Sequence, residues 1–324
     1  MKKILVTGAN GYIGARICEF LSGKGFRVTG LCYPEIPKKT AWVEALDECI
    51  VGDVRNIELI TRLSEKKIDV IIHLISLDHH QSNADPAFVS SVNVVPTWSL
   101  LDIFSKTGLG QFIYFSTIQV YGKLIDGIID ETRKPDCITP YGLTHYISEN
   151  LCQYFNQNSS TACTIFRLSN SYGSPVFIDN NCWWLAVNDL CKSAFINKRI
   201  RILSDGSPKR DFIHGNDVCK AVELLVKSRD KNIQKGIYHI SSGNTQTILK
   251  LAGMIREIYR NRYGEIIPVF TSAKAEIDDF DIFSKTQRYV IDNSKLRNIG
   301  FGPEWSLDNG IHELFDYLEN NPGA

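Results

Sequence analysis

Up to about Leu168 the apolar positions switch repeatedly between two periods. Ile4-Leu5-Val6 forms a short aliphatic run after a lysine pair, and from Tyr12 onward Ile13, Ile17, Phe20 and Leu21 recur at helical spacing. Thr7-Gly8 breaks the chain between them, so the segment reads as buried strand, glycine turn and helix. Arg27–Leu31 predicts a second strand, Cys49–Val54 a third, Asn56–Leu63 a helix, and Asp69–Ser76 a continuous apolar strand. Gln111–Phe115 predicts the next strand. Thr139-Pro140 supplies the cap and first residue of a helix over Tyr141 to about Phe155, and Thr164–Leu168 is a further strand. Strands alternating with helices imply an α/β fold, a Rossmann-type doubly wound parallel sheet.

Gly8, Gly11 and Gly14 fall at three-residue intervals inside the first strand–turn–helix unit. One glycine serves the tight turn, one lets a pyrophosphate approach the backbone, and one lets helix and strand pack closely. The free N–H groups and positive end of the helix then hold the anion, so the spacing predicts a dinucleotide, NAD or NADP. The end of the second strand does not choose between them. An acidic residue that would bind a ribose 2′-OH is replaced there by Cys32, with Glu35 coming late and Lys38 and Lys39 available to a 2′-phosphate.

Beyond Tyr172 the pattern loosens. Residues 1–174 are expected to form the dinucleotide-binding domain, with about 208–245 returning to it. Residues 175–324 are expected to form mainly a smaller substrate-binding domain.

Lys+Arg and Asp+Glu both number 36 in 324 residues, which leaves no global field for nucleic acid or an anionic membrane. No apolar run is read as a membrane span, and the short apolar N-terminus is not read as a signal peptide. Nine cysteines without a CxxC pair read as reduced thiols of a cytoplasmic protein, and no metal site is expected.

Several motifs resemble the extended short-chain dehydrogenase/reductases, the NAD-dependent epimerase/dehydratase family that modifies nucleotide sugars. They are the opening TGxxGxxG, Gly52-Asp53-Val54, Asp69–Ser76, the Ser82…Asp85-Pro86…Asn93-Val94 series, Phe115–Gly122, Tyr141–His145, Arg167–Gly173, Asp205–His214 and Asp292–Lys295. The resemblance implies that Gly8, Gly11, Tyr12, Ile13 and Gly14 hold the cofactor pyrophosphate. It implies that Asp53 and Val54 meet the adenine, and that Leu74, Ile75, Ser76 and Asn93 pass close to the cofactor. The alternative for Asp53 is a turn aspartate capping the next helix.

The same resemblance makes Thr117 and Tyr141 catalytic, and implies substrate contacts by Ser82, Thr117, Asn170, Arg210 and Arg288. For Arg210 the alternative is a surface arginine beside Asp211. A homodimer built as a four-helix bundle from the helices near Val89–Ser105 and Tyr141–Phe155 is also implied. His73 reads as an oriented structural histidine.

The chemistry can be stated from the side chains. Hydride transfer at a sugar carbon requires a proton to move at the attached oxygen; a phenol can carry it, and a hydroxyl such as Thr117 can fix the oxygen. Family members lower the tyrosine pKa with a lysine four residues later. Here that residue is His145. A dead or redirected site, a working site in which His145 orients the cofactor ribose, and an enzyme that mainly reduces ketones all follow, with a tilt toward reduction. Ile118-Gln119 stands where dehydratases carry an acidic pair, which argues against 4,6-dehydration. The expected function is an NAD(P)-dependent epimerase or reductase of a nucleotide-diphosphate sugar, with C4 as the expected reacting carbon. The alternative is a catalytically attenuated dinucleotide-binding or sensing protein.

Overall fold

The computed structural model describes residues 1–37, 41–272, 276–277, 279–280 and 289–323. Seven strands form the central sheet: β1 (Lys3–Thr7), β2 (Arg27–Cys32), β3 (Glu48–Val51), β4 (Val70–His73), β5 (Gln111–Thr117), β6 (Ala162–Leu168) and β7 (Ile237–Ile240). Their spatial order is β3-β2-β1-β4-β5-β6-β7, and every neighbouring pair is parallel. The strand order reverses between β1 and β4, so a crevice opens at the carboxyl ends of these strands, where such sheets bind ligands.

Side-chain alternation places the sheet between two helical layers. Ile4, Val6, Ile72 and Ile113 face Ile17 and Leu21 of the Tyr12–Gly23 helix and Val218 and Val222 of the Gly215–Lys227 helix. Leu5, Ile71, Phe112 and Tyr114 face Leu59, Leu63, Leu100, Phe104 and Phe155 on the other side. A second core gathers Val187, Leu190, Phe212, Leu251, Ile255, Ile311 and Phe315 from later segments.

Three elements depart from the sequence pattern. The predicted strand Asp69–Ser76 ends at His73, because Asn93 Oδ1 accepts from Leu77 N at 2.8 Å and draws the following loop away from the sheet. The strand Lys209–His214 lies outside the central sheet. It pairs parallel with Asn170–Tyr172 and antiparallel with Thr245–Thr247.

The third departure concerns the length of one apolar stretch. Pro86–Asn93 and Val95–Lys106 join end to end, and Pro86–Lys106 is long and apolar enough to cross a membrane by length and composition. Ser90, Ser91, Asn93, Thr97 and Ser99 interrupt it, which is why no uninterrupted apolar run stands out. In the fold Pro96, Leu100, Leu101 and Phe104 are buried, while Val95 and Trp98 are exposed.

Candidate active site

The glycine turn stands at the crevice as its spacing predicts. Gly8 has a φ of +74°, and a Cβ on Gly14 would lie 2.1 Å from the Gly8 carbonyl oxygen, so only glycine lets the helix start this close to β1. Gly11 is the N-cap residue, and no side chain caps the helix. The amides of its first turn are therefore available to an anion, the donor set that a dinucleotide pyrophosphate requires.

Gly8, Gly11, Tyr12, Ile13, Gly14, Leu74 and Ser76 line one wall of a cavity of about 940 Å³. The same cavity is lined by Thr117, Tyr141, His145, Asn170 and Arg210. Twelve of the site residues expected from the sequence thus share one space, within the size range of a ligand site.

The reacting groups come from two rigid elements. Thr117 ends β5 and is buried, with its hydroxyl accepting from Gln119 N at 3.2 Å. Tyr141 sits in the first turn of the Pro140–Asn158 helix, whose start is fixed by the Thr139 side chain accepting from Gly142 N at 3.1 Å. Desolvation pushes the Tyr141 phenol up to about 12, against a smaller opposing effect of its hydrogen bond with Thr117.

One turn on, His145 Nδ1 lies 2.8 Å from the Tyr141 carbonyl, and the two rings are 4.3 Å apart. A carbonyl only accepts, so Nδ1 carries the proton and Nε2 is an acceptor. Burial lowers the His145 pKa to about 4, so the imidazole is neutral near pH 7.

A buried network holds this helix to the sheet. Glu149, two turns beyond Tyr141, accepts from Ser116 Oγ at 2.5 Å and from Arg167 Nη2 at 2.6 Å. Arg167 Nη1 donates to the Tyr121 hydroxyl at 2.6 Å, and that oxygen is also 2.6 Å from His239 Nε2. The i, i+4, i+8 spacing of Tyr141, His145 and Glu149 carried this signal in the sequence, but Glu149 was not singled out there.

At the far end, Lys123, Lys209 and Arg210 supply positive charge, and Lys209 Nζ pairs with Asp126 at 3.5 Å. The Tyr289 hydroxyl donates to the Lys209 carbonyl at 2.8 Å and also meets Arg210. Asn170 Nδ2 donates to the Asp211 carbonyl at 2.9 Å, which orients it at the wall. Trp184 lines the cavity and is 58% exposed, whereas Trp183 packs against Tyr317. Asp78, His79, Lys123 and Tyr289 are lining residues that no sequence motif marked, and Gln119 and Lys209 lie inside marked motifs without having been assigned to the site.

Other expected site residues stand apart from the lining. Ser82 and Asn93 are buried behind the Leu74–His80 loop. Asn93 Nδ2 donates to Thr144 Oγ1 at 3.0 Å and Ser82 Oγ lies 3.4 Å from the Leu77 carbonyl. Ile75 packs over Gly8, and Val54 is buried. The Asp53 carboxylate accepts from Arg55 Nε at 2.9 Å, and the next helix is capped by Asn56 instead. His73 is buried with Nδ1 2.7 Å from Thr7 Oγ1, in keeping with a structural role. Arg288, Lys38 and Lys39 lie outside the described residues.

A model of the NAD dependent epimerase/dehydratase family matches residues 4–241. The chain belongs to that family. It is 25% identical, over 98% of its length and 99% of the relative's, to a putative UDP-glucose 4-epimerase of Methanocaldococcus jannaschii. It is 27% identical to a dTDP-L-rhamnose 4-epimerase of Burkholderia thailandensis, covering 98% and 95% of the two chains.

Among solved structures, the UDP-glucose 4-epimerase of Thermotoga maritima with UDP-glucose superposes with a TM-score of 0.82 at 23% identity over 99% of both chains, a likeness of fold. The UDP-glucuronic acid 4-epimerase of Bacillus cereus, in complex with UDP-glucuronic acid and NAD, gives 0.79 at 25% identity over 98% and 99%. The family is the extended short-chain dehydrogenase/reductase class that the motifs resemble, and the seven-stranded sheet is its Rossmann-type core.

Proposed function

We propose that this family member is an NAD(P)-dependent enzyme of nucleotide-diphosphate sugars that moves a hydride at a sugar ring carbon, C4, as a 4-epimerase or a 4-keto reductase. The observation that carries this reading is the single cavity shared by the glycine turn, the Thr117–Tyr141 pair and the basic end at Arg210. The dinucleotide, when bound, supplies the hydride carrier. Gly8, Gly11 and Gly14 would hold its pyrophosphate, and His145 Nε2 would accept a hydrogen bond from a hydroxyl of its ribose. Asp53 and Val54 are assigned to the adenine.

Thr117 fixes the reacting oxygen and Tyr141 exchanges its proton with it. With a pKa near 12 the phenol is protonated at neutral pH, which suits donation to a keto oxygen. Asn170 and Arg210 hold the diphosphate, since a guanidinium matches phosphate geometry. A purely sensing role has less support, because a binding module has no use for a hydroxyl–phenol pair in the cavity.

Residues 175–324 are assigned mainly to substrate binding, with about 208–245 returning to the dinucleotide domain. Trp98, Leu143, Ile147 and Tyr154 are exposed apolar residues on the outer faces of the Val95–Lys106 and Pro140–Asn158 helices. Covering them with a second copy supports a homodimer with a four-helix interface. Nine free cysteines support a reducing compartment, the cytoplasm.

The test is to identify the dinucleotide carried by the purified protein and to incubate it with UDP-, dTDP-, GDP- and CDP-sugars. Retained NAD with appearance of the C4 epimer marks an epimerase. Consumption of added NADPH by a 4-keto sugar marks a reductase. Binding of dinucleotide without either conversion overturns the proposal.

A further inference from the structure

The cavity is electrically lopsided. Its basic end carries Lys123, Lys209 and Arg210 against one carboxylate, Asp126, which is already paired with Lys209. Among the described residues the only other carboxylate on the wall is Asp78, which makes no ion pair with any of them. Asp78 belongs to the loop after β4. Its Oδ1 accepts from His80 N and Gln81 N, both at 2.8 Å, and its own N–H donates to Gln81 Oε1 at 3.2 Å. Leu77, just before it, is held by Asn93.

The carboxylate is thus fixed in place by backbone donors. Its charge is also felt at the Tyr141 phenol, where it disfavours a second negative charge. The lining imidazoles offer it no compensating cation, since burial lowers the pKa of both His145 and His79.

We propose that Asp78 sets the substrate class, by excluding an acidic sugar and accepting hydrogen bonds from a neutral or amino hexose. The inference rests on the nucleotide-sugar reading above. With the diphosphate at Arg210 and the reacting carbon at Tyr141, the sugar ring lies between the basic end and Asp78. A hexose hydroxyl or an ammonium group donates to the carboxylate. A C6 carboxylate would meet a fixed like charge, and such juxtapositions are strongly disfavoured in enclosed sites.

The test compares UDP-glucose with UDP-glucuronic acid, which differ only at C6, in wild-type protein and in Asp78→Asn. Asparagine keeps the Oδ1 acceptor that organises the His80–Gln81 turn and removes the charge, so a merely structural role leaves the substrate ratio unchanged. Affinity is measured by calorimetry on the dinucleotide-loaded protein, together with kcat/KM. The wild type is expected to prefer the neutral sugar by about a hundredfold, and the variant to narrow that preference about tenfold through a gain on the acid.

A wild-type preference for the acid, or a ratio indifferent to the substitution, overturns the role of Asp78 while leaving the nucleotide-sugar reading intact. Failure of both sugars and of their dTDP, GDP and CDP counterparts to bind overturns that reading, and the Asp78 inference with it.

Discussion

His145 Nδ1 donates to the Tyr141 carbonyl at 2.8 Å, which leaves Nε2 as an acceptor, while burial keeps the imidazole neutral beside the reacting phenol. A lysine in its place would bring a positive charge, and an opposite charge at such range lowers a phenol pKa by about 1–3 units. The substitution His145→Lys should therefore shift the base-dependent limb of sugar oxidation to lower pH. Oxidation near pH 7 should speed up by about tenfold for each unit of that shift. The reductive direction, in which Tyr141 is the acid, should gain nothing. Rate–pH profiles measured in both directions check this, and an unchanged oxidative limb would count against a neutral His145.

Gly14 makes a second, steric prediction. A Cβ there falls 2.1 Å from the Gly8 carbonyl oxygen and 2.9 Å from its carbon, both backbone atoms that cannot swing aside. Gly14→Ala should push the helix off β1 and misalign the amides of the turn. Dinucleotide affinity, followed by fluorescence titration, should fall at least about tenfold with a lowered melting temperature, as expected when overpacking costs about 1–3 kcal/mol. Affinity equal to wild type would remove the turn from the cofactor site.

The pair Glu149–Arg167 is almost wholly enclosed, with side-chain exposures of 0% and 2%. Glu149→Ala leaves the guanidinium buried with only the Tyr121 hydroxyl and a long contact to a carbonyl, so unfolding free energy should drop by about 3–5 kcal/mol. It also frees Ser116, the neighbour of Thr117. Chemical denaturation gives the stability loss, and a value under about 1 kcal/mol would mean that the network does not anchor the helix.

Stability should also fall in mild acid. Burial lowers the pKa of His73 to about 3, and of His145 and His239 to about 4. Because these folded values lie below the ordinary value, the unfolded chain takes up protons that the native protein refuses. Their contribution is complete above about pH 6.5 and is lost as pH falls through about 4, at about 1.4 kcal/mol per pH unit for each histidine. Denaturation midpoints between pH 7 and 4.5 measure the slope, and replacing His239 with glutamine should flatten it.

Much of this architecture was written in local patterns. The strand–glycine–helix opening, the Thr139-Pro140 cap and the β5 terminus with Thr117 each rest on a few consecutive residues, and the structure sets them where periodicity put them. What stayed hidden depends on contacts between distant residues. Asn93 and Ser82 sit in matching motifs, yet their side chains turn toward Leu77 and Thr144 and hold a loop behind the cavity. Asp78, Lys123 and Tyr289 line the cavity only because separate loops converge there. Lys209–His214 leaves the central sheet because its partners are two three-residue strands that no pattern announces.

The most direct measurement is reduction of bound NAD or NADP by a nucleotide sugar, followed by the absorbance of reduced nicotinamide in wild type and in Tyr141→Phe. Wild-type protein should accumulate reduced nicotinamide with at least one sugar, increasingly as pH rises toward the phenol pKa near 12. Tyr141→Phe should bind the dinucleotide normally and react about a hundredfold or more slower, the range expected on losing the proton-transfer group. Equal rates in the two proteins, or no reduction by any nucleotide sugar at any pH, would contradict hydride transfer at Tyr141.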